Sequence, residues 1–451
     1  MIYAILKVLC RITVWSYFRR IQIDGKDKIP LKGPFIFVAN HPSAFMDPII
    51  IASHVRPQIY FIAAGEYVGK GIKGWFLKTF FHMIPVYRPT TRPEETHKNE
   101  DMFRNCFKHL ASRRSLLVFP EGVSKTELKI KPLKTGTARI ARGAELEQEM
   151  KLGLTIIPIG LNYSNPHQFR SDLYVKIGNP IVVEDFISSD DSAEVTEVQE
   201  LTAEIEKRLK QCVLHVDTEE NESILRKIEA IYSRNLKDEL DIEFSDQKRE
   251  FQVQKEIIQA LNYFETYQKS EFESFRNQLN DFFDDLQNLG LHHRGLRSNS
   301  RTLQTARTIQ MILGFPFFLA GSVLNFVPYM MVELLNRRLK VNETFQGSMI
   351  LASGLVIYLL WYSTLNITAC CLLTPFWWGF AIVPLAYTLG LYASIYLSVL
   401  QYSRERKNVK QSRVHDQSTI NKLLRSQNDL IDRLEQYKTI YLEEKEKITQ
   451  K

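Results

Sequence analysis

Sixty consecutive residues, Thr344–Ser403, contain no Asp, Glu, Lys, Arg or His. A helix on the surface of a soluble protein carries a polar face, so few water-soluble folds accommodate such a stretch. A charge-free apolar run longer than about 18 residues is a transmembrane candidate. This one is long enough for two helices with a short turn at Thr374–Pro375. Trp361, Tyr362, Trp377 and Trp378 are of the types enriched where membrane meets water. A second charge-free run, Thr308–Val332, contains Pro316 and Pro328 and is followed by Arg337, Arg338 and Lys340. A full crossing there would put those basic residues opposite Arg301 and Arg307, against the excess of Lys and Arg on cytosolic faces. The expectation is a re-entrant or short hairpin over 308–332 and a two-helix span over 344–403. That arrangement leaves residues before 301 and the basic group Arg404, Arg406, Lys407 and Lys410 on the cytosolic side of a multi-pass membrane protein.

Charge is distributed unevenly along the 451 residues, although the total is only +7. Residues 1–186 sum to +11, residues 187–300 to −11 and residues 301–451 to +7. Three blocks of different sign predict units with different surroundings. The hydrophobic fraction of 45% and charged fraction of 24% exclude a disordered chain. The five cysteines, Cys10, Cys106, Cys212, Cys370 and Cys371, show no spacing of a zinc site or redox pair, and reduced thiols in a cytosolic compartment are the expectation.

Residues 1–29 begin with Ile2, Ile5, Leu6, Leu9 and Ile12 at helical spacing, with Lys7 and Arg11 one turn apart elsewhere on the helix. Charges within the run and the lack of a small-residue cleavage site argue against a secretion signal. Two uses fit the pattern: an amphipathic helix in a membrane interface, or a helix docked on a core. Residues 30–186 alternate short apolar runs with helical spacing. The runs are Phe35–Ala39, Ile59–Ala63, Met83–Tyr87, Ser115–Phe119, Leu154–Ile159 and Leu173–Ile177. They predict an α/β domain with a mostly parallel sheet flanked by helices. Residues 187–300 carry helical stripes without strand-like runs, so an acidic all-helical region follows, its charge read as a solvated face. In the basic tail, 404–451, Ile420, Leu423, Gln427, Leu430, Leu434, Tyr437 and Tyr441 recur in steps of three and four. This coiled-coil-like seam serves either a homodimer or packing against the acidic helices of the same chain.

The residues that carry chemistry lie in the α/β block. Asn40-His41-Pro42-Ser43-Ala44-Phe45-Met46-Asp47 follows directly on an apolar strand. A His at a strand end with a carboxylate one or two turns onward makes a general base oriented by an acid. The chain has no Gly-x-Ser-x-Gly elbow, so the base would activate a hydroxyl brought by a substrate. Three further blocks follow in order: Ile84-Pro85-Val86-Tyr87-Arg88; Phe119-Pro120-Glu121-Gly122-Val123-Ser124-Lys125 with Lys131-Pro132-Leu133-Lys134-Thr135-Gly136; and Ile156-Ile157-Pro158-Ile159-Gly160. Arg and Lys on loops at the carboxyl ends of parallel strands would form an anion site.

These four blocks, in this order, resemble the glycerolipid acyltransferase superfamily, which includes lysophosphatidate and glycerol-3-phosphate acyltransferases. The resemblance covers roughly residues 30–185. It implies His41 as general base and Asp47 as its orienting partner. Arg88, Glu121, Gly122, Ser124 and Lys125 would line the site of a phosphate-bearing acceptor, Lys134 would add to it, and Pro158 would shape the acyl-chain region. Family members usually place four residues between the His and the Asp, whereas Pro42–Met46 makes five here. That spacing resembles a subset with fungal glycerol-3-phosphate/dihydroxyacetone-phosphate acyltransferases and bacterial relatives. Phe-Pro-Glu-Gly is commonly followed by Thr-Arg, where this chain has Val123-Ser124-Lys125.

The resemblance implies a membrane-bound O-acyltransferase of phospholipid biosynthesis that uses acyl-CoA or acyl-carrier protein as co-substrate, with no bound cofactor and no metal. Membrane lipids and a glycerol-phosphate-type acceptor are its expected partners. Nucleic acid is not, because the basic residues lack interleaved stacking aromatics. The bacterial inner membrane and the endoplasmic reticulum both fit. The rival readings are acylation of another lyso-lipid, or a membrane scaffold with a vestigial acyltransferase domain.

Overall fold

The computed structural model describes residues 2–69, 71–87, 94, 97, 99–188, 190–296, 301–339, 341–373 and 375–449. The chain forms two compact units: Met1–His215 with Leu339–Leu355, and Val216–Arg338 with Val356–Lys451.

The first unit is built on eight strands: β1 (Arg20–Asp24), β2 (Phe35–Ala39), β3 (Ile59–Ala64), β4 (Met83–Val86), β5 (Ser115–Val118), β6 (Thr155–Tyr163), β7 (Asp172–Ile177) and β8 (Ile181–Val182). They form a sheet of order β1-β7-β6-β2-β5-β3-β4, with β8 pairing β6 off this path. The β6–β7 and β6–β8 pairings are antiparallel and the others parallel. The mostly parallel sheet expected from the sequence is therefore present. Among the unit's described residues the α-helices are α1 (Ile2–Tyr17), α2 (Met46–His54), α3 (Gly65–Val68), α4 (Gly71–Phe80), α5 (Asn99–Ala111), α6 (Gly136–Glu147), α7 (Glu194–Cys212) and the first part of α13 (Glu343–Leu372).

β2 explains why the parallel strands were legible as unbroken apolar runs. All five of its residues are buried, because a parallel sheet is covered on both faces. Side chains alternate across a strand, so Ile36 and Val38 pack with Leu110, Ala141 and Leu201 of α5, α6 and α7. Phe35, Phe37 and Ala39 pack with Val14, Tyr17, Ile50 and Ile51 of α1 and α2.

The sheet starts at Arg20, ahead of the boundary expected at residue 30. β1 alternates Ile21 and Ile23 with Arg, Gln and Asp, as a charged edge strand does. α1 docks on the core through Val14, Tyr17 and Phe18. Arg11 Nε donates to Ser53 O in the last turn of α2 at 3.0 Å and Lys7 donates to Val55 O and Arg56 O just past the helix end, which places cations at the negative end of that helix. Ile5, Val8, Ile12 and Trp15 lie exposed on another side of α1.

The second unit contains α8 (Glu219–Glu239), α9 (Gln247–Tyr267), α10 (Lys269–Asn288), α11 (His293–Leu296), α12 (Arg301–Leu339), the latter part of α13 (Glu343–Leu372), α14 (Ile382–His415) and α15 (Gln417–Thr449). α8, α9, α10 and α15 form a four-helix bundle in which each packs against the other three. The seam residues Ile420, Leu423, Gln427, Leu430, Leu434 and Tyr437 are buried in it, with Lys438 2.6 Å from Glu239 and Lys445 2.5 Å from Glu256. The tail thus packs in cis, and part of the acidic block faces basic side chains rather than solvent alone.

α12 is one continuous helix carrying both Pro316 and Pro328, without the turn of a short hairpin over 308–332. Three helical segments, Gln304–Leu339, Glu343–Leu372 and Phe376–His415, are long and apolar enough to cross a membrane. Asn325 ties the three together: its amide donates to Ala386 O at 2.9 Å, its carbonyl accepts from Tyr362 Oη at 2.8 Å, and neighbouring Leu324 O accepts from Trp361. Such side-chain bonds join apolar helices where no hydrophobic force drives them together.

Candidate active site

The site forms where the carboxyl end of β2 meets the amino end of α2. Asn40 extends the sheet with its side chain: its amide donates to Leu161 O at 3.0 Å and accepts from Leu161 N at 2.8 Å. This pins the last residue of the strand to β6 and frees the backbone to turn at His41.

His41 Nδ1 lies 2.8 Å from Asp47 Oδ2, the carboxylate is fully buried, and the imidazole keeps 19% of its side-chain surface exposed. Asp47 stands in the first turn of α2, where the helix dipole favours a negative charge. Its Oδ2 also accepts from Ser43 N at 2.8 Å and its Oδ1 from Tyr163 Oη at 2.6 Å. Burial, followed by the Asp47 charge, drives the Tyr163 phenol well above its ordinary range, so it remains a donor. A carboxylate that accepts from Nδ1–H leaves the ring lone pair on Nε2. The ring is stacked on Phe119 at 3.9 Å between centroids. An oriented imidazole with its basic nitrogen turned away from the carboxylate is equipped to take a proton from a hydroxyl.

Glu121 braces the site from behind. Its Oε1 accepts from His41 N at 3.1 Å and its Oε2 from Lys131 N at 2.9 Å. Burial raises its pKa, and the two backbone N–H groups partly offset this. Both oxygens are therefore engaged with backbone, joining two of the four sequence blocks. Gly122 has φ +69°, and a Cβ there would sit 2.8 Å from Lys134 Nζ. The positive φ favours glycine at this turn, which the exposed Lys134 side chain crosses. Ser124 Oγ accepts from Ala44 N at 2.9 Å and donates to His41 O at 2.8 Å, while Lys125 N donates to the same carbonyl at 3.1 Å. The Lys125 ammonium pairs with Glu127 at 3.2 Å.

His41, Asp47, Glu121, Ser124 and the Lys125 backbone are thus brought together, with Gly122 and Lys134 on the adjoining turn. Pro158 lies in the sheet, in register with Val38 of β2. Arg88 lies outside the described residues. Sequence reasoning missed Tyr163, the Asn40 amide and Thr126, whose Oγ1 donates to Pro42 O at 2.9 Å. No local pattern marks Tyr163, since it reaches Asp47 from a strand 116 positions later. Among the described residues no three His, Cys, Asp or Glu side chains are grouped as metal ligands.

Residues 20–162, which hold β1 to β5, most of β6 and the His41–Asp47 pair, match the family model described as Acyltransferase. The chain is 24% identical to glycerol-3-phosphate O-acyltransferase 1 of Saccharomyces cerevisiae over 50% of its own length and 42% of that protein. An uncharacterized acyltransferase of Schizosaccharomyces pombe is 36% identical over 37% of each chain. A chloroplastic 1-acyl-sn-glycerol-3-phosphate acyltransferase of Brassica napus is 25% identical over 35% of this chain and 41% of its own. The chain spans less than half the length of these curated relatives. The solved 1-acyl-sn-glycerophosphate acyltransferase of Thermotoga maritima aligns with a TM-score of 0.32 at 21% identity, covering 46% of this chain and 78% of its own.

Proposed function

We propose that this chain is a membrane-bound O-acyltransferase that moves an acyl group from an acyl thioester to a hydroxyl of glycerol-3-phosphate or 1-acylglycerol-3-phosphate. The observation that carries the reading is the His41–Asp47 pair at 2.8 Å, with Nδ1 held by a buried carboxylate. His41 Nε2 takes the proton of the acceptor hydroxyl as its oxygen attacks the thioester carbonyl. The tetrahedral oxyanion collapses, the C–S bond breaks, and the imidazolium returns the proton to the leaving thiolate. Asp47 stabilises that imidazolium without itself taking the proton.

The acceptor phosphate is taken by Arg88 and Lys134, with Lys125 nearby. Glu121 acts by holding the His41 and Lys131 backbones, since both its oxygens already accept N–H groups. Pro158 contributes to the acyl-chain region, and acyl-CoA or acyl-carrier protein serves as donor without a bound cofactor. The exposed apolar residues of α1 add contact with lipid. The catalytic domain faces the cytosol, and the basic residues Arg337, Arg338 and Lys340 favour the same side for position 340.

The test is acyl transfer by purified full-length protein with palmitoyl-CoA and a panel of glycerol-3-phosphate, 1-acylglycerol-3-phosphate and phosphate-free lyso-lipids. His41→Ala is expected to lose about a hundredfold or more of the wild-type rate. Equal rates sink the mechanism, and a preference for phosphate-free acceptors sinks the acceptor assignment. Cysteine labelling at position 340 from the side opposite the catalytic domain would overturn the topology.

A further inference from the structure

The turn that separates His41 from Asp47 is held by a residue some three hundred positions further along the chain. Ser348, in the second turn of α13, is buried at 2% exposure. Its hydroxyl donates to Ser43 O at 2.7 Å and accepts from Met46 N at 2.9 Å, across 305 and 302 positions of sequence. Ser43 O and Met46 N are also bonded to each other at 2.9 Å, so the hydroxyl bridges the two ends of one tight turn. Within the turn Ala44 has φ +37°, a conformation that a residue with a Cβ keeps only when its surroundings hold it. Ser124 holds Ala44 from one side, and Ser348 holds the turn's ends from another.

The head of α13 is shaped for this contact. A Cβ at Gly347 would lie 2.2 Å from Pro166 O and 3.0 Å from Met46 Cε, so only glycine permits the approach. Phe345 meets Phe45 edge-on at 5.7 Å, and Leu351 is buried in the same core as Met46 and Ile50. Ser353, one to two turns further on, differs in kind: its hydroxyl donates to Met349 O within its own helix at 2.5 Å.

We infer that Ser348 is a positioning residue for the His41–Asp47 pair. It fixes the residue whose N–H meets Asp47 Oδ2 and the residue that immediately precedes Asp47. It thereby sets where the carboxylate stands relative to His41 Nδ1. The head of an apolar helix thus becomes part of the support of the general base. This inference rests on the acyl-transfer reading of the site.

The experiment measures kcat, KM and melting temperature of full-length wild type, His41→Ala, Ser348→Ala, Ser348→Cys and Ser353→Ala in lipid vesicles. Palmitoyl-CoA is the donor, and the acceptor is whichever of glycerol-3-phosphate and 1-acylglycerol-3-phosphate the wild type uses faster. A base displaced by a fraction of an ångström loses about ten- to a hundredfold in rate. That loss is expected in kcat for Ser348→Ala and Ser348→Cys, with both KM values within about twofold of wild type. The cysteine keeps the shape but is a weak hydrogen-bonding partner, so it reports on the tether even if the alanine variant folds poorly. Ser353→Ala is expected to keep wild-type kcat. If both Ser348 variants keep wild-type kcat, or if Ser353→Ala loses as much, Ser348 has no positioning role. A wild type no faster than His41→Ala overturns the acyl-transfer reading and this inference with it.

Discussion

The turn around His41 and the bundle of α8, α9, α10 and α15 both join stretches of chain that are distant in sequence, but with different chemistry. At the turn, single polar groups are matched one to one. Asp47 accepts from His41, Ser43 and Tyr163, and Glu121 from His41 and Lys131. In the bundle, apolar residues such as Phe275, Leu279, Phe282 and Leu430 form the interior, and charges pair at the rim. A buried polar group left without its partner costs far more than a surface ion pair contributes. The first region is therefore specified residue by residue, and the second by pattern.

That contrast is sharpest at Asp47. Asp47→Asn turns an amide donor toward groups that already donate, and is expected to lower kcat by about a thousand- to ten-thousandfold. The melting temperature should move far less. Leu279→Ala is the counterpart in the bundle: removing a fully buried side chain should cost about 2–5 kcal/mol in denaturant unfolding. Its rate per folded molecule should stay near wild type, and a large loss of kcat there would break the comparison. Tyr163→Phe deletes one of three donors to Asp47 while keeping the ring. Its expected loss is about ten- to a hundredfold in kcat, read at saturating substrate.

The β1 edge of the sheet and the bundle should respond to pH with opposite signs. Burial raises the Asp172 carboxyl, but hydrogen bonds from Arg19 and Arg20 outweigh it, and the net shift is down. Its contribution is present above the ordinary carboxylate range and is lost as pH falls through the lower folded value. Glu229 of α8 is raised by burial, partly countered by Arg226 and Gln254. Its contribution is present below the ordinary range and is lost as pH rises through the folded value. Hydrogen exchange across pH should show the β1 edge loosening in acid and α8 loosening as pH rises, with Asp172→Asn and Glu229→Gln each flattening its own slope. The smallest effect belongs to the bundle rim. Lys438→Ala breaks its ion pair with Glu239, and the expected cost by thermal melting is at most about 1 kcal/mol.

The same contrast governs what was legible in the sequence. Strands buried on both faces read as apolar runs, so β2 to β7 were found from composition alone. β1 was not, because its charged alternation belongs to an edge and follows directly on a helix. The hairpin expected over 308–332 rested on Pro316 and Pro328 and on the basic residues that a full crossing would carry to the far side, but a helix tolerates prolines where neighbouring helices satisfy the freed backbone groups. His41 and Asp47 were legible because their spacing is local. Tyr163 and Ser348 were not, since neither differs in type or spacing from ordinary strand and helix residues, and only the fold carries them to the turn.

The cis packing of the tail has a consequence for the order of assembly. α8, α9 and α10 leave the ribosome well before α15, with α12, α13 and α14 made in between. Until α15 appears, the face that receives Leu430 and Leu434 lacks its fourth helix. Bundle closure therefore waits on late synthesis, and during that interval its apolar face is the part of the chain most open to misassembly.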